Sequence, residues 1–511
     1  MRPSRLDRGL PADPLPALWA RWLLRLFIVI YWGIGTLYVL RTPLWQVPDE
    51  PAHVNYALHV ARTGTLPVLQ PGDYDAEYLE RIKAARFPPE MSVASIRYES
   101  HQPPLYYLLA ALVLRLVAPI SLAETPPSAI AHAVYAIRFL SLLLSVGMLY
   151  AAHALMRRLF PTHPSLALAA VGFIAFIPQH VAMMAGANND ALAELVLALV
   201  LWRLVHDLQK DEQGWRLSIW RGGLLGLVLL TKTTVYLPAL LAWGTFHVGT
   251  TRGSAFRAGK RLLGEGIVAL ILAMPFYVRN LLVYGWPDIL GLRRHAEVVV
   301  GQMTTAEFIA REGWTAFWQR AITWTFRSFW GQFGWMGVLM DARVYRALAY
   351  FSLVLAVALL VGVWHYRASS GAKRVAGNIL LAAAAGTVVS YIGYNLSFLQ
   401  HQGRYLFTML VPLAAFLAPG VWLLMAPARA RWAAAMAAAA TALALVAALL
   451  DLGPFDRWDA LALFGLAVWF ALAWRWPRWR PLWVLAPFVL LAVLDIVALY
   501  RFILPALAAH P

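Results

Sequence analysis

LLRLFIVIYWGIGTLYVL, residues 23–40, is an apolar run with a single charge, Arg25. A helix that crosses a membrane needs about 20 predominantly apolar residues, because the hydrocarbon core is about 30 Å thick. The run is too long for the core of a signal peptide, and no small-residue cleavage site follows it. Further arginines precede the run within residues 1–22. We therefore expect a retained helix and a cytoplasmic N-terminal segment, residues 1–22.

Similar apolar runs recur along the chain. Of its 511 residues, 61% are hydrophobic and 14% are charged, whereas about a quarter of the residues in a soluble domain are charged. Backbone polar groups in lipid must be satisfied within their own segment, so such runs have to be helices. The composition therefore predicts an all-α polytopic membrane protein.

The basic residues occur as short clusters between the apolar runs, which explains the net charge of +17. Such clusters are typical of cytoplasmic loops, and nothing in the pattern indicates nucleic-acid binding. Placing every cluster inside predicts about thirteen transmembrane helices in a bacterial inner (plasma) membrane. The chain has no Cys, so any chemistry falls to carboxylates, His and basic side chains.

This topology gives two long extracytoplasmic loops. Residues 41–131 form the first, with juxtamembrane helices, because the apolar run 103–120 contains Arg115 and is placed at the outer interface. Residues 282–345 form the second, which is crowded with Trp and Phe. Aromatic residues at this density suit a helix that lies along the interface and contacts a lipid tail, although an ordinary aromatic belt is the alternative. Residues 426–511 are predicted to be C-terminal transmembrane helices.

Two adjacent acids follow the first apolar run in VPDEPAH, residues 47–53. Prolines on both sides stiffen Asp49 and Glu50, and His53 lies about one helical turn further on. An acidic pair in a loop is usually only solvated. Its position at the membrane surface, together with the further acids described next, makes it a candidate functional site.

Two further segments bring polar groups to the same outer surface. YESHQPPLYY, residues 98–107, closes the first loop with Glu99 and His101, although a loop His is more often structural or solvated. Asn189 and Asp190 lie on a short outer loop before a helix, where a helix cap is the alternative role.

Three basic residues are candidates for binding an anion. Lys232 lies among apolar residues at a turn between two short runs, and such a lysine marks a functional site by default. Snorkelling to the nearer interface is the alternative. Arg279 and Arg404 lie at predicted outer helix ends, where a guanidinium group either binds phosphate or anchors the helix.

The order of these motifs, together with Arg279-Asn280 and QGRY at residues 402–405, resembles the GT-C glycosyltransferases. The sequence is most similar to a family of predicted bacterial membrane proteins, and more distantly to protein O-mannosyltransferases and aminoarabinose transferases. The resemblance covers residues 23–425 and depends on motif order more than on any single motif. It implies a GT-C-like transmembrane catalytic module over residues 23–425.

The resemblance also implies a reaction, in which a sugar moves with inversion from a polyprenyl-phosphate donor to an extracytoplasmic glycan, lipid or protein acceptor. It implies that Asp49 is the catalytic base and that Glu50 is its partner. A polyprenyl phosphate is a good leaving group, so the transfer needs a base but no protonating acid. The residues expected to bind substrate are His53, Glu99, His101, Asn189, Asp190, Lys232, Arg279, Arg404 and Tyr405.

Some of these enzymes use a divalent metal ion and others do not, so the resemblance leaves open whether this protein binds one. Asp49, Glu50 and Asp190 would supply hard oxygen ligands that suit Mg²⁺ or Mn²⁺.

Two other functions compete with transfer: a transporter or flippase of lipid-linked sugars, and a non-catalytic membrane protein of envelope assembly. The chain shows no matched halves with inverted interruptions, and its acids cluster in an outer loop, which argues against a transporter.

Overall fold

The computed structural model describes residues 10–117, 127–210, 214–251 and 254–507. Most of these residues are helical, which confirms the predicted all-α class. The α-helices are α1 Ala17–Arg41, α2 Glu50–Thr63, α3 Ala76–Ala84, α4 Leu105–Val117, α5 Pro127–Leu159, α6 Pro164–Ala175, α7 Pro178–Met184, α8 Asp190–Lys210, α9 Trp215–Leu229, α10 Tyr236–Thr250, α11 Ala255–Tyr284, α12 Leu292–Val298, α13 Thr305–Trp330, α14 Ala342–Arg367, α15 Ala372–Ser397, α16 Leu410–Leu424, α17 Pro427–Leu449, α18 Arg457–Arg475, α19 Arg480–Val497 and α20 Leu504–Leu507.

Short irregular elements join some of these helices. The 3₁₀ turns are Tyr98–His101, Thr233–Val235, Gly403–Met409 and Pro477–Trp479, and a π-helical segment, Ala498–Ile503, follows α19. A small antiparallel hairpin follows α13, with strands β1 Gln332–Phe333 and β2 Val338–Leu339.

Among the described residues, nine helices are long and apolar enough to cross a membrane, and the pair α6 and α7, bent by 70°, is a tenth candidate. Three elements account for the difference from the predicted thirteen. Helix α8 contains the charged residues Glu194, Arg203 and Asp207, and α9 and α10 have only 15 residues each. The number thirteen stays a prediction. Helix α4, with 13 residues, is only about 20 Å long and too short to cross.

Helix α6 lies at the centre of the bundle, and all of its 12 residues are buried. It packs against α1, α5, α16 and α19. Beside it, α14 and α16 approach closely because of two glycines: a Cβ on Gly420 would lie 1.8 Å from the Ala358 carbonyl oxygen, and one on Gly362 would lie 2.0 Å from that of Phe416. Small residues at such contacts are typical of helix packing in membranes.

The helices alternate in direction, so two sets of connections gather at opposite ends of the bundle. We call one the site end, which holds Asp49, Asp190, Lys232 and Arg404 in direct contact as two pairs. The other, the basic end, holds most of the Arg and Lys clusters of the connections between helices. Which end faces the cytoplasm stays a prediction.

Four helices are tied together at the basic end by buried charges. Arg221 of α9 donates from Nε to Glu265 Oε1 of α11 at 2.7 Å, and from Nη1 to Asp207 Oδ2 of α8 at 3.1 Å. His247 of α10 hydrogen bonds through Nε2 to Glu265 Oε2 at 2.9 Å. Glu265 therefore joins Arg221 and His247, and Arg221 in turn joins Glu265 to Asp207.

Replacing Glu265 with Ala should destabilise the protein, because His247 Nε2 loses its hydrogen-bond partner and the buried Arg221 keeps only one of its two carboxylates, Asp207. Breaking a buried pair costs about 3–5 kcal/mol, which should lower the melting temperature of the purified protein in detergent. Glu297→Ala is the control, because it removes only surface pairs with Arg293 and Arg294, each worth at most about 1 kcal/mol. Equal melting temperatures for the two variants would contradict this role of Glu265.

Candidate active site

The loop after α1 turns two neighbouring carboxylates in different directions. Asp49 has a left-handed backbone, with φ 67°, and is the residue that immediately precedes α2. This conformation is uncommon outside glycine, although Asp tolerates it better than most residues. As a result, the Asp49 side chain is 27% exposed, while that of Glu50 is completely buried.

Glu50 forms a bidentate ion pair with Arg138 of α5. The guanidinium donates from Nε to Oε1 and from Nη2 to Oε2, both at 2.7 Å. The backbone N–H groups of Trp45 and Ala187 donate to the same carboxylate at 2.9 and 3.2 Å. A carboxylate has about four lone-pair sites, and these contacts fill them. The structure therefore does not bring Glu50 to Asp49 as the predicted partner, and leaves no oxygen for a metal ion.

Arg138 was missed by the sequence reasoning. Besides Glu50, it donates to the backbone carbonyls at the end of α1, so all five of its N–H groups are used. These carbonyl contacts are with Val39 at 2.9 Å, Thr42 at 2.8 Å and Pro43 at 3.1 Å. The available signal was a single Arg inside an apolar helix, which is costly in a membrane and needs a partner.

Asp49 is held by residues from two distant parts of the chain. Its Oδ1 accepts a hydrogen bond from the Tyr98 hydroxyl at 2.8 Å, and its Oδ2 accepts one from Arg404 Nη2 at 2.9 Å. Burial alone would raise the pKa of Asp49, but the Arg404 guanidinium, His53 and the hydrogen bonds outweigh it and lower the pKa to about 2. Asp49 is therefore an anion at neutral pH.

A second pair of opposite charges lies beside the first. Lys232, just after α9, donates from Nζ to Asp190 Oδ1 at 2.6 Å. The backbone N–H of Asp190 donates to Asn188 Oδ1 at 2.9 Å, which fixes the start of α8. Because Lys232 contacts Asp190 directly, the lysine is not simply snorkelling to an interface.

His53 lies between the two pairs. Its Nδ1 hydrogen bonds with the Tyr107 hydroxyl at 2.8 Å, and Asn189 Nδ2 donates to the same hydroxyl at 3.4 Å. Burial lowers the pKa of His53, and the charges of Glu99, Lys232, Asp49 and Asp190 act on it in both directions. His53 is therefore neutral at pH 7 and within electrostatic reach of both pairs.

Two cavities adjoin at the site end. The polar cavity, of about 650 Å³, is lined by Asp49, Glu99, Arg404 and Tyr405, among others. The apolar cavity, of about 930 Å³, lies between α13, α14, α15 and α16. Helix α13 contributes to both. It begins at Thr305 with the capping box of Thr304 and Glu307.

Aromatic residues of the second outer loop line both cavities. Most of them line the apolar cavity: Trp314, Phe317, Trp318, Phe329 and Trp330. Trp335 lines the polar cavity instead, and its Nε1 donates to the Trp45 carbonyl at 2.8 Å. The aromatic residues therefore shape both cavities, which an ordinary aromatic belt would not do.

Two predicted site residues lie elsewhere. His101 is buried, with its ring 4.5 Å from that of His295, and it does not line the polar cavity. Arg279 donates from Nη2 to the Leu66 carbonyl at 3.1 Å and stacks on Tyr284, so it anchors the first loop. The structure does not bring either residue to Asp49.

The predicted metal ligands do not fit a metal ion. Glu50 has no free oxygen, and Asp49 and Asp190 are each paired with a basic side chain. Across residues 10–117, 127–210, 214–251 and 254–507, no group of three or more His, Asp or Glu side chains is arranged to hold one.

Comparisons with known proteins bear on the fold. Residues 101–278 match the family model described as dolichyl-phosphate-mannose-protein mannosyltransferase. The chain is similar to ArnT from Cupriavidus metallidurans bound to undecaprenyl phosphate, with a TM-score of 0.51 and 14% identity over 95% of this chain and 78% of that one. It is also similar to the archaeal oligosaccharyltransferase AglB from Archaeoglobus fulgidus in complex with an inhibitory peptide and a dolichol-phosphate, with a TM-score of 0.51 and 12% identity over 93% and 56% of the two chains.

No curated protein matches the chain in sequence. The structural similarities define the class: the chain is a multi-pass membrane protein with the GT-C glycosyltransferase fold. This confirms the fold that the resemblance implied. The closer similarity to a family of predicted bacterial membrane proteins stays a prediction.

Substitutions of the neighbouring residues Glu50 and Asp49 should distinguish a structural role from a catalytic one. Glu50→Gln leaves the Arg138 charge buried without a counter-charge, which should destabilise the protein by about 3–5 kcal/mol. Asp49→Asn changes a partly exposed group and keeps a residue type that tolerates φ above zero. It should therefore lower the free energy of unfolding by less than Glu50→Gln does. Melting temperatures in detergent measure both. A larger loss for Asp49→Asn would contradict the structural role of Glu50.

Proposed function

We propose that this protein transfers a sugar, with inversion, from a polyprenyl-phosphate donor to an extracytoplasmic acceptor, and that Asp49 is the base. One observation carries the proposal: Asp49 and Arg404 form an ion pair in a polar cavity that adjoins a large apolar one. The pair supplies a proton acceptor and a phosphate ligand, and the apolar cavity suits a prenyl chain. The undecaprenyl phosphate bound to ArnT and the dolichol-phosphate bound to AglB support this donor class by analogy.

The leaving phosphate requires positive charge, which Arg404 and Lys232 would supply. Each is paired with a carboxylate, Arg404 with Asp49 and Lys232 with Asp190. A donor phosphate that binds Arg404 therefore competes with Asp49 for the guanidinium. Once Arg404 turns to the phosphate, the pKa of Asp49 rises and the carboxylate becomes a better base.

The transfer is then a single displacement. The acceptor hydroxyl attacks the anomeric carbon from the side opposite the phosphate, its proton passes to Asp49, and the bond from the sugar to the phosphate oxygen breaks. The Tyr98 hydroxyl donates to Asp49 Oδ1 and so orients the base. Because one displacement occurs, the configuration at the anomeric carbon inverts. No step passes through a metal ion.

The remaining site residues act through these groups. Asp190 holds Lys232, while His53 and Asn189 meet at the Tyr107 hydroxyl and support the wall behind the site. Glu99 and Tyr405 line the polar cavity and are available to the sugar or the acceptor. Glu50 is a positioning residue that fixes the loop through Arg138.

The sidedness of the site follows from charge. Arg and Lys clusters are retained on the cytoplasmic side of bacterial membranes, which supports a cytoplasmic basic end and an extracytoplasmic site end. We propose the inner membrane as the location, with the polar cavity open to the extracytoplasmic space.

Asp49→Asn should reduce transfer by at least about 10²-fold, because a positioned general base contributes about 10²–10⁴. Transfer is measured in proteoliposomes with a panel of polyprenyl-phosphate sugars, following release of the lipid phosphate. Glu80→Gln is the matched control, since Glu80 lines the same cavity but pairs with Lys83. Full activity in Asp49→Asn would refute the base assignment, and lipid movement without product would indicate a flippase.

The pH dependence should differ between kcat/KM and kcat. In the free protein the pKa of Asp49 is about 2, so the base stays ionised as pH falls to about 4, and kcat/KM should show no loss from Asp49 between about pH 5 and pH 7. With donor bound to Arg404, the pKa is higher and activity is lost at a higher pH. The acid limb of kcat should therefore lie above that of kcat/KM, and coincident acid limbs would contradict the competition for Arg404.

A further inference from the structure

One arginine lies at the boundary between the two cavities. Arg320 of α13 lines the polar cavity, whereas Phe317 and Ala321 of the same helix line the apolar one. Arg320 is also within electrostatic reach of His401, which lines the apolar cavity. We call this place the seam.

Arg320 differs from the other cations of the polar cavity. Arg404 is paired with Asp49, Lys83 with Glu80, and Arg311 with Glu312. In the described part of the chain, no carboxylate lies within ion-pair distance of Arg320.

Aromatic rings hold the Arg320 side chain without neutralising it. Its guanidinium carbon lies 3.7 Å from the centroid of the Trp324 ring and 5.9 Å from that of Phe308. Its Nε is buried and has no hydrogen-bond partner. A buried donor without a partner is costly, and an anion at the seam would remove that cost.

His401 brings a second unpaired group to the seam. It is 3% exposed and lines the apolar cavity, with its ring 5.0 Å from that of Phe317. Its buried Nδ1 has no hydrogen-bond partner. Burial and the nearby charge of Arg320 lower the pKa of His401 to about 4, so the ring is neutral at pH 7 and can donate one N–H.

We propose that Arg320 and His401 form a docking site for the phosphate of a polyprenyl-phosphate lipid, used before the phosphate reaches Arg404. The inference rests on the proposed function and deepens it by naming an earlier position of the donor. At the seam the phosphate binds a guanidinium group that is not paired with a carboxylate. Binding at Arg404, in contrast, requires the ion pair between Arg404 and Asp49 to break. The phosphate group identifies the ligand and the prenyl chain fills the apolar cavity.

The test is binding of polyprenyl phosphate to the full-length protein in nanodiscs. Arg320→Gln should weaken binding by about tenfold or more, as expected for the loss of charge-assisted hydrogen bonds. Arg311→Gln is the matched control, because Arg311 lies on the same helix and lines the same cavity but is 72% exposed and paired. Its affinity should change less than about twofold. His401→Asn should also weaken binding, by a smaller factor.

Two further ligands show which part of the lipid is recognised. Polyprenol, which lacks the phosphate, should bind the wild type and Arg320→Gln equally, because only the headgroup contacts Arg320. A parallel loss of polyprenol binding would overturn the inference, since Arg320 would then shape the apolar cavity only. Displacement of the lipid by an equal concentration of inorganic phosphate would also overturn it, because the ligand would then be a free anion.

The outcomes separate this inference from the proposed function. If Asp49→Asn abolishes transfer but Arg320→Gln binds polyprenyl phosphate like the wild type, the docking site is wrong and the transferase stands. If Arg320→Gln loses binding but the wild type transfers no sugar from any donor, the docking site stands and the transferase is wrong.

Discussion

The ion pair between Arg138 and Glu50 is the contact on which the site end depends. It lies at full burial between α5 and the loop after α1, and its geometry is bidentate. Removing one partner would leave an uncompensated charge in the bundle. Because Arg138 also binds the carbonyls at the end of α1, the pair fixes where the loop leaves the helix. The left-handed backbone of Asp49 then turns the next carboxylate into the polar cavity.

The site itself consists of opposite charges that already neutralise each other. Asp49 pairs with Arg404, and Asp190 pairs with Lys232. Under the proposed function, an anionic donor exchanges with Asp49 to reach Arg404, and the exchange releases Asp49 as the base. Substrate binding and activation of the base are therefore one event in this account. At the proposed docking site, Arg320 has no carboxylate partner, so the donor can bind there before this exchange takes place.

The sequence could predict the fold class, because the length and composition of apolar runs are local properties of the chain. The sequence could not predict where the Glu50 side chain points, because its orientation depends on the φ of Asp49 and on Arg138, which is 88 residues away in the chain. Arg279 and His101 were placed at the site for their positions near outer helix ends, yet their side chains turn to Leu66 and His295. Arg320 was missed because its importance depends on what does not pair with it.

The most direct measurement is a cryo-electron microscopy structure of the full-length protein with polyprenyl phosphate bound in nanodiscs. We expect a population in which the phosphate contacts Arg404 at about 3 Å, the distance of a charge-assisted hydrogen bond, with the prenyl chain in the apolar cavity. In that population the distance from Arg404 Nη2 to Asp49 Oδ2, 2.9 Å in the structure described above, should increase beyond hydrogen-bond range. An intact ion pair, with the lipid phosphate bound only at the basic end, would contradict the account.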